Sequence, residues 1–216
     1  MTAPLALPQL ADLERAHERI APHIHRTPVL TSRLLDQHCR CELFFKAENL
    51  QKVGAFKARG ASNAVHGLDE EQAARGVATH SSGNHGAALA QAAAARGIPA
   101  HVVMPSNAPA VKKAAVAGYG ATIVECEPTL QARVDTLEAV VAETGASVVP
   151  PYDDARVIAG QGTVALELLQ QVENLDVVVV PVGGGGLLAG VAIAVKSLAP
   201  GVEVLAVEPA GADDAF

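Results

Sequence analysis

The sequence predicts the α/β class, with parallel sheets covered by helices on both faces, and three observations carry that prediction. Apolar, strand-like runs alternate with helical patterns from about residue 76 onward. The runs are nearly continuous in aliphatic residues rather than alternating with polar ones, as strands buried on both faces require. Gly97, Gly118 and Gly145 sit where helix C-caps are expected, each close before the next strand.

Taken in order, a helix near Asp12–Ile20 opens the chain, then a Thr27-Pro28 turn, a strand at Leu43–Ala47 and a helix beginning near Lys57. Strands follow at Val77–His80, Ala100–Met104, Ala121–Glu125, Ser147–Val149, Asp176–Val180 and Val202–Glu208. Helices at Ala87–Arg96, Ala110–Ala117, Leu130–Glu143, Thr163–Val172 and Leu187–Leu198 alternate with them. Val177 to Val195 is 19 residues without a charge, close to the ~20 of a membrane span. Pro181 and the glycine run that follows divide it into a strand, a loop and a helix.

At ~150 residues per domain, a chain of this length makes one large domain or two small lobes. Half of the 216 residues are hydrophobic and only six are aromatic, so the core must be aliphatic. A net charge of −7 without a basic run argues against nucleic-acid partners. Cys39, Cys41 and Cys126 form no even disulfide set, and Cys39/Cys41 lack the two-residue spacer of a zinc or redox motif. No Lys or Arg precedes the short apolar stretch at the N-terminus, so no secretory signal is expected. The expectation is a cytoplasmic protein with no membrane partner.

Three loops carry candidate chemistry. Gly183-Gly184-Gly185-Gly186 follows a strand and opens a helix, where converging backbone N–H groups and the helix N-terminus suit a phosphate. A tight turn would need fewer glycines, each of which costs backbone entropy. Neither the Walker nor the dinucleotide pattern fits, because no Gly-Lys-Ser/Thr follows and Leu188 replaces the third glycine. Ser81-Ser82-Gly83-Asn84-His85-Gly86 also lies between a strand and a helix. One residue would suffice as an N-cap; five polar or glycine residues in six suggest a binding loop, and a Ser-His pair stays open from order alone. In Gln51-Lys52-Val53-Gly54-Ala55-Phe56-Lys57, Lys52 reads as a solvated lysine, whereas Lys57 follows an aromatic among small residues. Desolvation there would favour the neutral amine that a Schiff base needs.

Together, Gly54-Ala55-Phe56-Lys57-Ala58-Arg59-Gly60-Ala61, the Ser81–Gly86 loop, Gly160-Gln161-Gly162 and Gly183–Gly186 resemble the pyridoxal-phosphate enzymes of the tryptophan-synthase-β fold type. Within that group the chain is most similar to threonine/serine dehydratases and serine racemases. The resemblance implies that Lys57 carries pyridoxal 5'-phosphate covalently, that Phe56 packs near its ring and that Asn84 bonds its phenolic oxygen. Gly183, Gly184, Gly185 and Gly186 with the Leu187 amide would hold the phosphate. Ser81, Asn84 and His85, with Arg133, would bind the substrate carboxylate, and Ser82 matches the second acid/base of the racemases. At the end of the chain Glu208, Ala212 and Asp214 resemble a divalent-cation site, whose oxygen ligands suit Mg2+, Ca2+ or Mn2+.

The implied reaction is dehydration of a hydroxy amino acid such as L-threonine or L-serine to a 2-oxo acid and ammonia, with the cofactor as electron sink. Proton return through Ser82 would instead give a racemase. Pro150-Pro151-Tyr152-Asp153-Asp154 is closer to the threonine dehydratases, while the acidic terminal motif points to the racemases. The resemblance places residues 1–71 and 151–216 in a large cofactor lobe and 72–150 in a small lobe carrying the substrate loop. Relatives continue beyond this length, so the C-terminal part of the large lobe is expected to be missing. A homodimer, or a second chain completing that lobe, follows from the same resemblance. Two other readings stand beside the enzyme: a noncatalytic fragment with an exposed sheet edge, and a phosphate-binding module using Gly183–Gly186 alone.

Overall fold

The computed structural model describes residues 7–213. In chain order the elements are α1 (Leu10–Ile20), β1 (Val29–Thr31), α2 (Arg33–Cys39), β2 (Phe44–Lys46), α3 (Lys57–His66), α4 (Glu70–Arg75), β3 (Val77–His80) and α5 (Asn84–Arg96). Then come β4 (Ala100–Pro105), α6 (Ala110–Gly118), β5 (Thr122–Cys126), α7 (Leu130–Thr144), β6 (Ser147–Val148), α8 (Ala155–Gln171), β7 (Val177–Pro181), α9 (Gly186–Leu198) and β8 (Glu203–Val207). β3 to β6 form a parallel sheet in the order β5-β4-β3-β6, β7 and β8 pair in parallel, and β1 and β2 pair antiparallel. The class is therefore α/β, with parallel sheets flanked by helices.

Alternate residues of the four-stranded sheet feed opposite cores, which is why its central strands are mostly apolar. Val77 packs with Ala88, Leu89 and Ala92 of α5, and Val102 and Met104 pack with Ala90 of α5 and Val116 of α6. Ala78 and Val103 face the other way, toward Val140 of α7. A second core joins Leu13 of α1, Ala165 of α8, Val178 and Val180 of β7, and Val191 and Ala194 of α9. Among the described residues every buried hydrophobic is Ala, Val, Leu, Ile, Met or Cys, as the aromatic count requires. The outward residues Val177 and Val179 of β7 and Leu205 and Val207 of β8 remain exposed. With Phe44 and Phe45, β7 lines a groove of about 480 Å³.

The helix at α8 begins eight residues before the Thr163 start that the sequence suggests, with Asp154 as its N-cap accepting from the Arg156 and Val157 N–H groups. Gly160 and Gly162, which precede the expected Thr163 start, lie inside the helix, where they permit close helix contact. A Cβ on Gly160 would stand 2.6 Å from Gly60 Cα of α3, and one on Gly190 of α9 2.5 Å from the Gly162 nitrogen. Gly97 and Gly145 do cap α5 and α7 in the left-handed conformation. Gly118, expected as a cap, instead ends α6 within the helix; Gly120 takes the left-handed φ of 80° that the turn needs. No helix among the described residues is long and apolar enough to cross a membrane, and the uncharged stretch divides into β7, a loop and α9.

A buried ion network fixes α3 against α8. Arg59, fully buried, donates Nε and Nη2 to Glu48 at 2.8 and 2.7 Å, and Nη1 and Nη2 to Glu167 at 2.8 and 3.0 Å. Lys46 Nζ reaches Glu167 at 2.6 Å, the Thr27 carbonyl at 2.8 Å and Gln171 at 2.8 Å. Burial pushes the Glu167 carboxyl toward higher pKa, but the two cations outweigh it and hold it below the usual range. The network lies two residues from Lys57 along α3 and fixes how deep that helix starts.

Candidate active site

Lys57 is the first residue of α3 and Phe56 its N-cap. The chain reaches them through a tight turn at Lys52–Gly54 in which Val53 (φ 57°) and Gly54 (φ 70°) are both left-handed. For a β-branched residue that conformation is strained, and strain of this kind collects at functional sites. The Lys57 amine lies 5.2 Å from the centre of the Phe56 ring and donates to the Pro151 carbonyl. Burial pushes its pKa below the ordinary lysine value, toward the neutral amine.

Facing the amine is the glycine run. Phe56, Lys57, Tyr152 and the stretch from Pro181 to Leu188 enclose a cavity of about 240 Å³. The four glycines differ in what they require. Gly185 is left-handed (φ 81°) and caps α9. A Cβ on Gly184 would run into the Tyr152 ring, and one on Gly186 would press on the Tyr152 backbone at 3.0 Å. At Gly183 a Cβ would meet nothing within 4 Å, so the backbone there borders open space. The α9 N-terminus, whose first amides lack intrahelical partners, completes an anion cradle beside a half-buried amine. An amine of lowered basicity, a phosphate cradle and an aromatic at Phe56 fit pyridoxal phosphate.

The second loop lies where strand order reverses. β3 sits between β4 and β6, so Ser81–Gly83 leaves its carboxyl end at the sheet's switch point, where α/β sheets open a ligand crevice. Ser81, Ser82 and Gly83 are half-buried and Asn84 is exposed at the start of α5. His85 follows Asn84 in the first turn of α5. Its ring is buried, Nε2 lies 2.9 Å from the Val149 carbonyl, and Nδ1 is buried without a hydrogen-bond partner. A group reaching this loop therefore meets the His85 main chain rather than its ring. Burial, helped by the nearby Lys57 charge and opposed by the bond to Val149, brings the His85 pKa down to about 4.

Arg133 stands in the first turn of α7, near enough to His80 for its charge to help burial lower that imidazole's pKa. It is absent from the lining of the Lys57 cavity. Glu208 and Ala212 follow β8, and Asp214 lies outside the described residues. Among the described residues no cluster of three or more His, Cys, Asp or Glu side chains could hold a metal. The sequence did not single out the segment that joins the loops as part of the site. Val149 bonds His85, Pro151 bonds Lys57, and Tyr152 packs on Gly184. Its available signal was Pro150-Pro151, a stiff pair between a strand and the Asp154 cap.

The chain is 51% identical to a serine racemase of Dictyostelium discoideum over 99% of its length and 66% of that protein. It is 56% identical to a beta-hydroxyaspartate dehydratase of Paracoccus denitrificans, covering 97% of the chain and 67% of the relative. The crystal structure of the Dictyostelium serine racemase superposes with a TM-score of 0.95, covering 98% of this chain and 69% of that one. The crystal structure of the T.th. threonine deaminase does so at 0.91, with 50% identity, 96% of this chain and 67% of that one. The chain thus spans about two thirds of the length of the curated relatives it matches. The family model described as pyridoxal-phosphate dependent enzyme matches residues 20–216. With that match added to the half-buried amine and its glycine cradle, the chain belongs to the pyridoxal-phosphate dependent enzyme family.

Proposed function

We propose that the protein is a pyridoxal-phosphate-dependent dehydratase of hydroxy amino acids such as L-threonine and L-serine, releasing a 2-oxo acid and ammonia. The observation that carries this reading is the half-buried Lys57 amine, its pKa lowered by desolvation, across a 240 Å³ cavity from Gly183–Gly186. Relatives named dehydratase and threonine deaminase at 56% and 50% identity support it. When bound, the cofactor supplies the electron sink that makes an α-proton removable.

The chain's own residues do the rest. The backbone amides of Gly183, Gly184, Gly185, Gly186 and Leu187 hold phosphate, and Asn84 holds the phenolic oxygen. Ser81 and the main-chain N–H groups at Asn84 and His85 receive the substrate carboxylate, with Arg133 as a further cation at the crevice. Lys57, as the neutral amine, takes the α-proton, and the Pro151 carbonyl keeps its Nζ in place. Oxygen ligands at Glu208, Ala212 and Asp214 would hold Mg2+, Ca2+ or Mn2+. The two loops lie on separate lobes, 72–150 and the remainder, that close over a small amino acid. A homodimer or a complementing chain covers the exposed β7/β8 face, and the protein works in the cytoplasm.

A racemase is the second reading. It is favoured by Ser82, a hydroxyl beside the carboxylate loop that can return a proton to the face opposite Lys57, and by the relatives named serine racemase. The test begins with pyridoxal phosphate added to the purified protein: a visible band that borohydride fixes onto Lys57 is expected. No band, or one unchanged in Lys57→Ala, refutes the site. Ammonia release from L-serine, L-threonine and 3-hydroxyaspartate, against formation of D-serine, then decides the reaction. A normal band with no turnover of any of them means a noncatalytic protein.

A further inference from the structure

The His85 imidazole is buried, and its one hydrogen bond reaches a carbonyl 64 residues away in sequence. A carbonyl oxygen only accepts, so Nε2 must carry the proton and Nδ1 must be bare. Two residues beyond that carbonyl, Pro151 accepts from Lys57 across a separation of 94 residues. The intervening geometry is stiff. Pro150 and Pro151 have φ fixed by their rings, and Val149 and Pro150 are each restricted by the proline that follows. The Val149 N–H is itself bonded to the Ala78 carbonyl of β3 at 3.0 Å. Fixing the Val149 carbonyl therefore fixes the direction of the Pro151 carbonyl, with little slack between them. Tyr152, next in the chain, packs against Gly184 and Gly186.

We propose that the His85 side chain is a positioning group: by holding the Val149 carbonyl its imidazole locks the Val149–Tyr152 segment, which in turn sets the place of the Lys57 amine and backs the glycine cradle. The purpose of this clamp rests on the cofactor reading above, whereas its existence is a property of the protein alone. The side chains of asparagine and glutamine test it cleanly, because both are amide donors and differ in reach. Glutamine places its Nε2 near the position of the imidazole Nε2, and asparagine falls short of Val149.

The experiment is competitive acylation of the protein's amines across pH, with the extent at Lys57 read by mass spectrometry, in wild type, His85→Gln and His85→Asn. In His85→Asn the loosened segment admits water, so the Lys57 midpoint rises by about one pH unit. In His85→Gln it stays at the wild-type value. Pyridoxal-phosphate affinity follows the same order, roughly tenfold weaker in the asparagine variant, the effect of one lost hydrogen bond. A Lys57 midpoint unmoved in His85→Asn, even with a lower melting temperature, reduces His85 to a purely structural role and overturns the proposal. So does a glutamine variant shifted as far as the asparagine one. If His85→Asn does not fold, histidine NMR of the wild type decides: an Nε2–H tautomer upholds the clamp and an Nδ1–H tautomer overturns it. Failure of the wild type to form a cofactor band refutes the functional reading, and the acylation result still judges the clamp.

Discussion

Replacing Arg59 by alanine should destabilise the protein by about 3 kcal/mol, at the low end of what breaking a buried ion pair costs. The figure follows from what each former partner keeps. Glu167, 2% exposed, retains Lys46 at 2.6 Å, so its charge stays compensated. Glu48, 15% exposed, retains a side-chain hydrogen bond from the Thr27 hydroxyl at 2.6 Å and the weaker attraction of Lys46, and becomes the less compensated charge, partly relieved by water. In a domain of this size, 1 kcal/mol shifts the melting temperature by about 2–4 °C, so the expected loss is about 6–12 °C. Urea denaturation followed by far-UV circular dichroism measures the free energy, and a thermal scan checks it. Adding Glu48→Gln to Arg59→Ala should recover much of the loss, since it removes the stranded charge. A single variant within about 1 kcal/mol of wild type, or no recovery in the double variant, would refute the assignment of the network as the anchor of α3. Because Arg59 lies two residues from Lys57 on α3, the single variant should also weaken the cofactor band.

Gly184→Ala should leave folding nearly intact, because the half-exposed Tyr152 ring can swing away, yet reduce pyridoxal-phosphate affinity by about tenfold by displacing that wall of the cradle. Absorbance titration reads this, and wild-type affinity would show that Tyr152 does not shape the site. Stability should fall as pH drops below about 6.5. Burial chiefly holds the pKa of both His66 and His85 at about 4 against 6.5 unfolded, the stacked His23 at 3.7 Å contributing to the shift of His66. The unfolded chain then binds protons that the folded chain does not. The stabilisation is complete above about pH 6.5; at pH 5 about 2 kcal/mol of it is lost at the buried His85, and less at the half-buried His66, which water screens. A flat denaturation midpoint between about pH 7 and 5 would contradict this, and His85→Gln should remove more than half of the slope. Glu167 and Asp154, whose carboxyls are held low by their cationic partners despite burial, act only at lower pH, as pH falls below their unfolded values.

What the sequence disclosed was governed by how local each signal is. The strand Val77–His80 has the limits its apolar run suggests, because burial on both faces leaves no polar alternation to blur its ends. Gly97 and Gly145 were legible as caps, since a left-handed residue after a helix favours glycine wherever it occurs. Helix α4 was within reach, because Asp69 and Gln72 form a reciprocal capping box, but six residues are too short for periodicity to register. The first half of α8 was hidden by its glycines, whose small size serves contacts with α3 and α9 rather than a turn. In the site, Lys57, Phe56 and the glycine run share one cavity as their motifs imply, while Arg133 stands apart from it and the His85 ring is turned inward.

The sequence alone therefore determined the α/β class, the aliphatic core and the order of the loops, because composition, periodicity and glycine spacing are set within a few residues of each position; the family came from the resemblance that those loops carry. Only the tertiary structure decided how the loops are joined. The bonds from His85 to Val149 and from Lys57 to Pro151 end on main-chain carbonyls. Every residue carries such a carbonyl, so nothing in the identity of Val149 or Pro151 announces its partner. The Arg59 network is of the same kind, with Glu48 and Glu167 reading as ordinary acidic residues until folding brings them to one buried guanidinium. Long-range polar pairing depends on where the backbone passes, and that is fixed by the packing of α3 on α8 rather than by any local pattern.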